Sequence, residues 1–418
     1  MAQLTDDCFA HGDRLMTADE ALALIGQIAA PVTGLEEVGL AIAPGRILAR
    51  DVVSTVDVPP HPNAAVDGYA FFHDDLVADA DTTLPVTGRV PAGHALGRPA
   101  AHGEAIRIFT GAPMPEGLDT VMMQEDTQEA DGMVTLPTGI KPGANRRNAG
   151  EDVRAGTVIL KAGHRLKPQD VGMAASVGLA ALPCHATLKV ALFSTGDEVC
   201  EPGEPLEPGA IYDANRYAVM GLLRRLGCSV TDLGILPDKG PQTHAAIAEA
   251  ASSHHALMTS GGVSVGDEDH VRKTIMNEGT LHAWYMAIKP GRPLMLGQIG
   301  GAAFIGLPGN PAAAMVTFLR FARPLLLRLG GGKEVDPQLF SVRAAFDRKK
   351  KSGRREYVRV HLEYGDDGVL EAHAFHREGA GLLSSLVETD GLAELPEDMT
   401  QLEKGAMIDV LPFSEVIG

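Results

Sequence analysis

At 418 residues, with 45% hydrophobic and 22% charged residues, the chain is too long for one hydrophobic core and too ordinary in composition to be disordered or fibrous. Its formal net charge of −18, from 36 basic and 54 acidic residues, argues against a nucleic-acid or anionic-membrane surface. A small anion stays compatible with that charge only at a compact site, where local cations and backbone N–H groups outweigh the distant field.

The first residues carry Asp6, Asp7 and Asp13 and lack the cationic-then-apolar pattern of a signal peptide. Thr17-Ala18-Asp19-Glu20, followed by Leu22, Leu24, Ile25 and Ile28, predicts a capping box opening a helix. A short alternating pattern from Val38 to Val58 surrounds Pro44-Gly45 and ends at the rigid Pro59-Pro60 break. Leu84 to Pro137 is rich in Gly, Pro, Val and Thr, with alternating runs such as Ala105–Phe109, and predicts a small all-β domain. Gly143 to Gly156 is polar and punctuated by glycine, as a loop or domain crossing would be.

From Leu188 the pattern changes. Strands are predicted at Leu188–Phe193, Ser229–Leu236, Ala256–Thr259, Leu281–Ile288 and Ala302–Ile305, and helices at Asn215–Leu226, Pro241–Ser253, Asp269–Asn277 and after Pro311. Alternating strands and helices imply a parallel sheet with crossovers, whose ligands bind outside the carboxyl ends of the strands. The apolar stretch Pro311–Leu329 contains Arg320, Arg323, Pro324 and Arg328, which suits a buried helix and not a membrane span. Residues 331–418 return to β character, with strands predicted at Phe340–Phe346, Glu356–Glu363 and Val369–Ala374 and a small barrel or sandwich as the result. Cys8, Cys184, Cys200 and Cys228 form neither a C-x-x-C pair nor a zinc spacing, so free thiols in a reducing cytoplasm are expected.

Three α/β segments end strands with small and acidic residues: Ser194–Glu198, Ser260–Asp269 and Gly306–Pro311. Glycines let backbone approach a ligand, and freed N–H groups beside a helix N-terminus suit a phosphate. Carboxylates beside such a nest would repel the phosphate unless a hard cation such as Mg²⁺ bridged them. One such segment would suit an ordinary turn; three at strand ends in one domain favour a site. Lys289-Pro290-Gly291-Arg292-Pro293 adds two cations on a stiff loop that can face one small anion. Gly262-Val263-Ser264-Val265-Gly266 also matches a hydrolase nucleophile elbow. Asp267, Glu268 and Asp269 directly after it would crowd an oxyanion with negative charge, which opposes acyl chemistry.

Together with Ile211–Asn215, these segments occur in the order found in MoeA-type molybdopterin molybdenumtransferases and the gephyrin C-terminal domain, and the chain resembles that family. Upstream, Asn63–Ala70, Thr110–Pro115 and Arg147–Asp152 resemble further signatures; downstream, Gly353–Tyr357 and Leu382–Ser384 do so. The match spans about Leu15 to Pro412.

The resemblance implies a four-domain homodimer: a helical and β N-terminal linking domain (14–57 and 145–184), an inserted small β domain (58–144), an α/β molybdopterin-binding domain (185–330) and a C-terminal β domain (331–418). It further implies Mg²⁺-dependent molybdenum insertion into adenylylated molybdopterin, consuming molybdate and releasing AMP and molybdenum cofactor, with a molybdopterin adenylyltransferase as donor. Asp67, Asp152, Glu198, Asp238 and Asp269 would then be the catalytic acids, with Glu198 and Asp269 on the metal. Substrate would meet Thr110, Thr195, Gly196, Asp213, Asn215, Ser260, Gly261, Gly262, Ser264, Pro308, Gly309, Asn310 and Pro311. Lys289, Arg292, Arg354 and Ser384 would hold molybdate, and the pterin's own dithiolene sulfurs would hold the metal, so no cysteine ligand is needed. The chain departs from the family pattern at Pro62, Lys239 and Ala313, the last removing a hydroxyl expected near molybdate. The alternatives are a molybdopterin adenylyltransferase of the same central fold, against which the extra β-rich segments on both sides argue, and a gephyrin-like scaffold, against which the lack of a linker-rich interaction segment argues.

Overall fold

A computed structural model describes residues 15–237, 240–262 and 270–417. Thr17 closes the expected capping box, its Oγ1 accepting from Glu20 N at 3.2 Å while Glu20 Oε2 accepts from Thr17 N at 2.8 Å. The helix it opens, Ala18–Ile28, buries Ala18, Ala21, Leu24, Ile25 and Ile28. These side chains join the core beneath the Arg323–Leu329 helix, so the N-terminal helix packs on the α/β region.

Two hairpin-like pairings tie distant segments together next. Leu35–Gly39 lies antiparallel to Ala181–His185, and Val52–Val53 to Val158–Leu160, over a small core of Val38, Leu48, Leu166 and Leu182. Between them a six-stranded sheet runs in the order Thr120–Met123, Gly68–Phe71, Ala105–Ile108, Thr82–Val90, Met133–Leu136, Gln128–Ala130.

The central sheet has the order Ser229–Leu236, Lys189–Thr195, Ala256–Ser260, Ala302–Leu307, Pro293–Ile299, Gly279–Tyr285. The first four strands are parallel. Pro293–Ile299 is antiparallel to both neighbours, so the sheet is mixed and not wholly parallel as the alternation predicted. That strand escaped the sequence reading because Gly291, Pro293 and Gly297 punctuate it as a loop. From Lys189–Thr195 the chain steps to Ser229–Leu236 on one side and then to Ala256–Ser260 on the other. The loops after Thr195 and Ser260 therefore diverge at a topological switch point, where open α/β sheets bind ligands.

The long helix begins at Pro311 and is α to Thr317, π over Phe318–Ala322 and α again over Arg323–Leu329. Pro324 supplies the cause: it lacks an N–H and its ring collides with the carbonyl four residues back, so the ladder widens there. Beyond it, Arg355–Tyr364, Leu370–Ala374, Phe340–Ala344, Met407–Pro412 and Gly391–Leu395 close into a barrel through the pairing of the first with the last. Ile288–Lys289 pairs in parallel with Arg355–Glu356, so the cationic loop of the α/β region is hydrogen-bonded to the barrel.

Candidate functional site

Between the carboxyl ends of the central strands and the barrel lies a cleft of about 670 Å³. Its floor is Glu198, Gly261, Gly262, Pro308, Gly309 and Asn310; Lys289 and Arg292 form one wall; Arg348, Glu356, Arg359, Arg377 and Glu378 come from the barrel side. Five cations thus face three carboxylates in a chain of net charge −18, the local reversal a compact anion site needs.

The floor is shaped by close backbone approach. Gly262 has φ +65°, and a Cβ there would lie 2.5 Å from Thr195 Oγ1; at Gly261, with φ +89°, it would lie 2.9 Å from Thr195 O. Only glycine fits both the conformation and the space. Thr195 is buried, and its Oγ1 has no hydrogen-bond partner among the described residues. At Gly196 a Cβ would meet Glu198 Oε2 at 2.5 Å, so this glycine leaves room for the acid. Asn215 joins two of the loops, donating to Ser260 Oγ at 2.8 Å and to Gly309 O at 2.7 Å.

Not every expected ligand group is free to serve. Asp213 is 4% exposed, caps the Ala214–Arg225 helix by accepting from Arg216 N, and pairs with Arg216 Nε at 2.8 Å. It anchors the helix that carries Asn215, and its carboxylate is committed to Arg216. The N-terminus opened by Pro311 is also partly used: Ala312 N donates to Ala380 O of the barrel side at 2.9 Å. Gly261 N likewise donates to Leu307 O at 3.2 Å. The first bond ties the start of this helix to the barrel side, and the second engages the backbone N–H of Gly261 within the sheet end.

On the barrel side the cleft-facing arginine of the Arg355–Tyr364 strand is Arg359; Arg354 and Ser384 are outside the lining. Arg359 is 8% exposed, donating through Nε to Ser385 Oγ at 3.1 Å and through Nη2 to Gly379 O at 3.0 Å, and burial pulls its pKa down. Ser384 therefore neighbours the residue that holds the arginine. The sequence reading missed Arg348, Arg359, Arg377, Glu356 and Glu378; for Glu356 and Arg359 the available signal was charge inside the otherwise apolar first half of the strand Arg355–Tyr364, and the other three lie outside that strand.

Asp67, Thr110 and Asp152 lie outside the lining of this cleft within one chain. Asp67 Oδ1 accepts from both the backbone and the hydroxyl of Thr110, each at 2.8 Å. Those bonds, the backbone one foremost, hold its carboxyl below the usual range. Asp152 is exposed on the surface. Asp238, Ser264 and Asp269 lie outside the described residues.

A Mg²⁺ site can be tested against this chemistry. Glu198 is exposed at the cleft, and its carboxylate has no partner among the described residues. Among those residues no three His, Cys, Asp or Glu side chains gather into a metal cage. Mg²⁺ commonly keeps several waters and takes one or two carboxylates plus substrate phosphates, so one free acid over an anion cleft fits it.

Residues 16–178 match the family described as MoeA N-terminal region (domain I and II), 191–328 the Probable molybdopterin binding domain, and 341–413 the MoeA C-terminal region (domain IV). The chain is 38% identical to the molybdopterin molybdenumtransferase of Haemophilus influenzae, over 97% of this chain and 100% of that one. It is 37% identical to the molybdopterin molybdenumtransferase of a Nostoc species, over 90% and 88% of the two chains. The crystal structure of the molybdopterin biosynthesis moeA protein from Pyrococcus horikoshii superposes with a TM-score of 0.82 at 28% identity, covering 95% of this chain and 99% of that one. Matched along nearly its whole length in sequence and in fold, the chain belongs to the MoeA family.

Proposed function

We propose that this chain is a molybdopterin molybdenumtransferase, which inserts molybdenum from molybdate into adenylylated molybdopterin and releases AMP. The observation that carries the reading is the cleft at the switch point, where Lys289, Arg292 and Arg359 converge over the glycine floor in a strongly acidic chain. Charge-assisted bonds from such groups suit a tetrahedral dianion. The relatives' names give the pterin as its acceptor.

In this reading Lys289 and Arg292 draw molybdate to the wall, and Arg359, held by Ser385 and Gly379, orients it. Asn215 fixes the Ser260 and Gly309 loops so that the pterin phosphate meets one shape of floor. The barrel supplies one side of the cleft. Bound Mg²⁺ would neutralise charge on the pyrophosphate between pterin and AMP, held by Glu198 and, outside the described residues, by Asp269. The soft dithiolene of the pterin receives the molybdenum, so the protein needs no thiolate there. Cys184, Cys200 and Cys228 form no disulfide among the described residues.

The Asp67–Thr110 pair lies outside its own chain's cleft, and we assign it to the cleft of a second copy in a homodimer. The adenylate would come from a molybdopterin adenylyltransferase. The test is reconstitution: purified protein, pterin adenylate, molybdate and Mg²⁺ should activate a molybdenum-free molybdoenzyme. No activation in that mixture, with authentic cofactor activating the same acceptor, would overturn the assignment.

A further inference from the structure

Two carboxylates of the cleft grip the same two cations, and they differ sharply in exposure. Glu356 is 7% exposed and receives Arg348 Nε on Oε2 at 2.9 Å and Lys289 Nζ near Oε1 at 3.4 Å. Glu378 is 70% exposed and repeats the arrangement more loosely, with Arg348 Nη1 at 3.2 Å from Oε1 and Lys289 Nζ at 3.6 Å from Oε2. A buried carboxylate with short contacts to a strand arginine is a fixed counter-ion. An exposed one on longer contacts, on the segment that follows Phe375, can move away at little energetic cost.

We propose that Glu378 is a displaceable internal anion: in the empty cleft it occupies the face of Lys289 and Arg348 that an incoming oxyanion takes, and it swings out when the oxyanion binds. The inference rests on the reading of the cleft as an oxyanion site and adds a residue that sets its affinity. With Glu356 and Glu378 both in place the four charges cancel, so the cation pair is held in binding geometry without ligand. Removal of Glu378 leaves net positive charge on the quartet, beside Arg292, Arg359 and Arg377, which have no ion-pair partner among the described residues. Arriving anion and departing carboxylate exchange one acceptor for another at the same donors. The same exchange in reverse assists release.

The physical signature is specific. A competitor that leaves completely penalises every oxyanion by the same factor, whatever its charge. A carboxylate that stayed in place and merely repelled would penalise a dianion by about the square of the monoanion's factor, since Coulomb energy scales with charge. A carboxylate that only scaffolded the cations would, on removal, weaken both.

The experiment is calorimetric titration of the full-length protein with molybdate and with perrhenate, a tetrahedral monoanion, comparing wild type, Glu378→Gln and Glu378→Asp. The proposal expects Glu378→Gln to tighten both anions by the same factor, threefold or more, and Glu378→Asp to return affinity toward wild type. Molybdate gaining by roughly the square of the perrhenate factor would overturn displacement, and weakened binding of both would make Glu378 a scaffold. If wild type and Glu378→Gln both ignore both anions, the oxyanion reading itself falls, and this inference with it. Binding by wild type without the equal gain brings down only the role of Glu378.

Discussion

The side-chain nitrogen of Asn215 is shared by two loops: it donates to Ser260 Oγ at 2.8 Å and to the carbonyl of Gly309 at 2.7 Å. The helix that presents it is capped by Asp213, whose carboxylate is locked to a buried Arg216. One amide thus ties the ends of the Ala256–Ser260 and Ala302–Leu307 strands. Asn215→Ala should leave the fold intact, with a stability loss of about 1–2 kcal/mol for two modest hydrogen bonds. It should raise KM for the pterin adenylate by about tenfold, equivalent to roughly 1.4 kcal/mol. Steady-state kinetics with a thermal melt as control decide it; unchanged KM in a folded variant would mean that the loops hold themselves.

Gly262→Ala tests the floor. Left-handed backbone costs an L-residue about 1–2 kcal/mol, and the new Cβ would also press on Thr195 Oγ1. Activity should fall more than tenfold and the melting temperature should drop. Adding Thr195→Ala removes the contact but leaves the backbone cost, so the double variant should recover part of the loss and not all of it. A Gly262→Ala protein with wild-type kinetics and melting would show that the turn has room.

What could be read in the sequence follows from what is local. Capping at Thr17, the glycines of the strand-end turns and the cationic proline loop are each required by their own backbone, and each is visible within a few residues. The barrel's share of the cleft is not local. Arg348, Arg359 and Glu378 reach it only because Ile288–Lys289 pairs with Arg355–Glu356 across the fold, a contact between segments nearly seventy residues apart. At Asp213 the local motif has a second local use: its carboxylate caps the helix and pairs with Arg216, three residues on.

Glu104 provides a stability prediction in the small β sheet. Arg98 donates to its two oxygens at 2.7 and 2.8 Å, Ala101 N donates at 2.7 Å, and Thr87 also donates. The Arg98 bonds foremost hold its pKa down to about 2 from 4.5. Because the folded value is depressed, the stabilisation is fully present above about pH 4.5 and is lost as pH falls toward 2. After solvent screening it should amount to about 1–2 kcal/mol. Glu104→Gln should therefore melt below wild type at neutral pH, with the gap closing in acid. A gap at pH 2 as wide as at neutral pH would point to packing and not to charge.

The assignment of Asp67 to a second copy predicts complementation. Asp67→Ala and Glu198→Ala should each be inactive alone. Mixed with subunit exchange, half the dimers are hybrids and one of the two sites in each is intact, so about a quarter of wild-type activity should return. Verified exchange without recovery would place both residues in the service of the same chain's cleft.

The most direct test of the central claim is AMP release from the pterin adenylate, followed by chromatography across a molybdate titration, for wild type and for a Lys289→Gln/Arg292→Gln variant. The account predicts release that depends on molybdate in wild type and, in the variant, a half-maximal molybdate concentration raised well over tenfold, since two charge-assisted contacts exceed the roughly 1.4 kcal/mol of one decade. Adenylate affinity should change less. Release indifferent to molybdate in wild type, or a variant that loses adenylate binding while its molybdate dependence stays normal, would contradict the account.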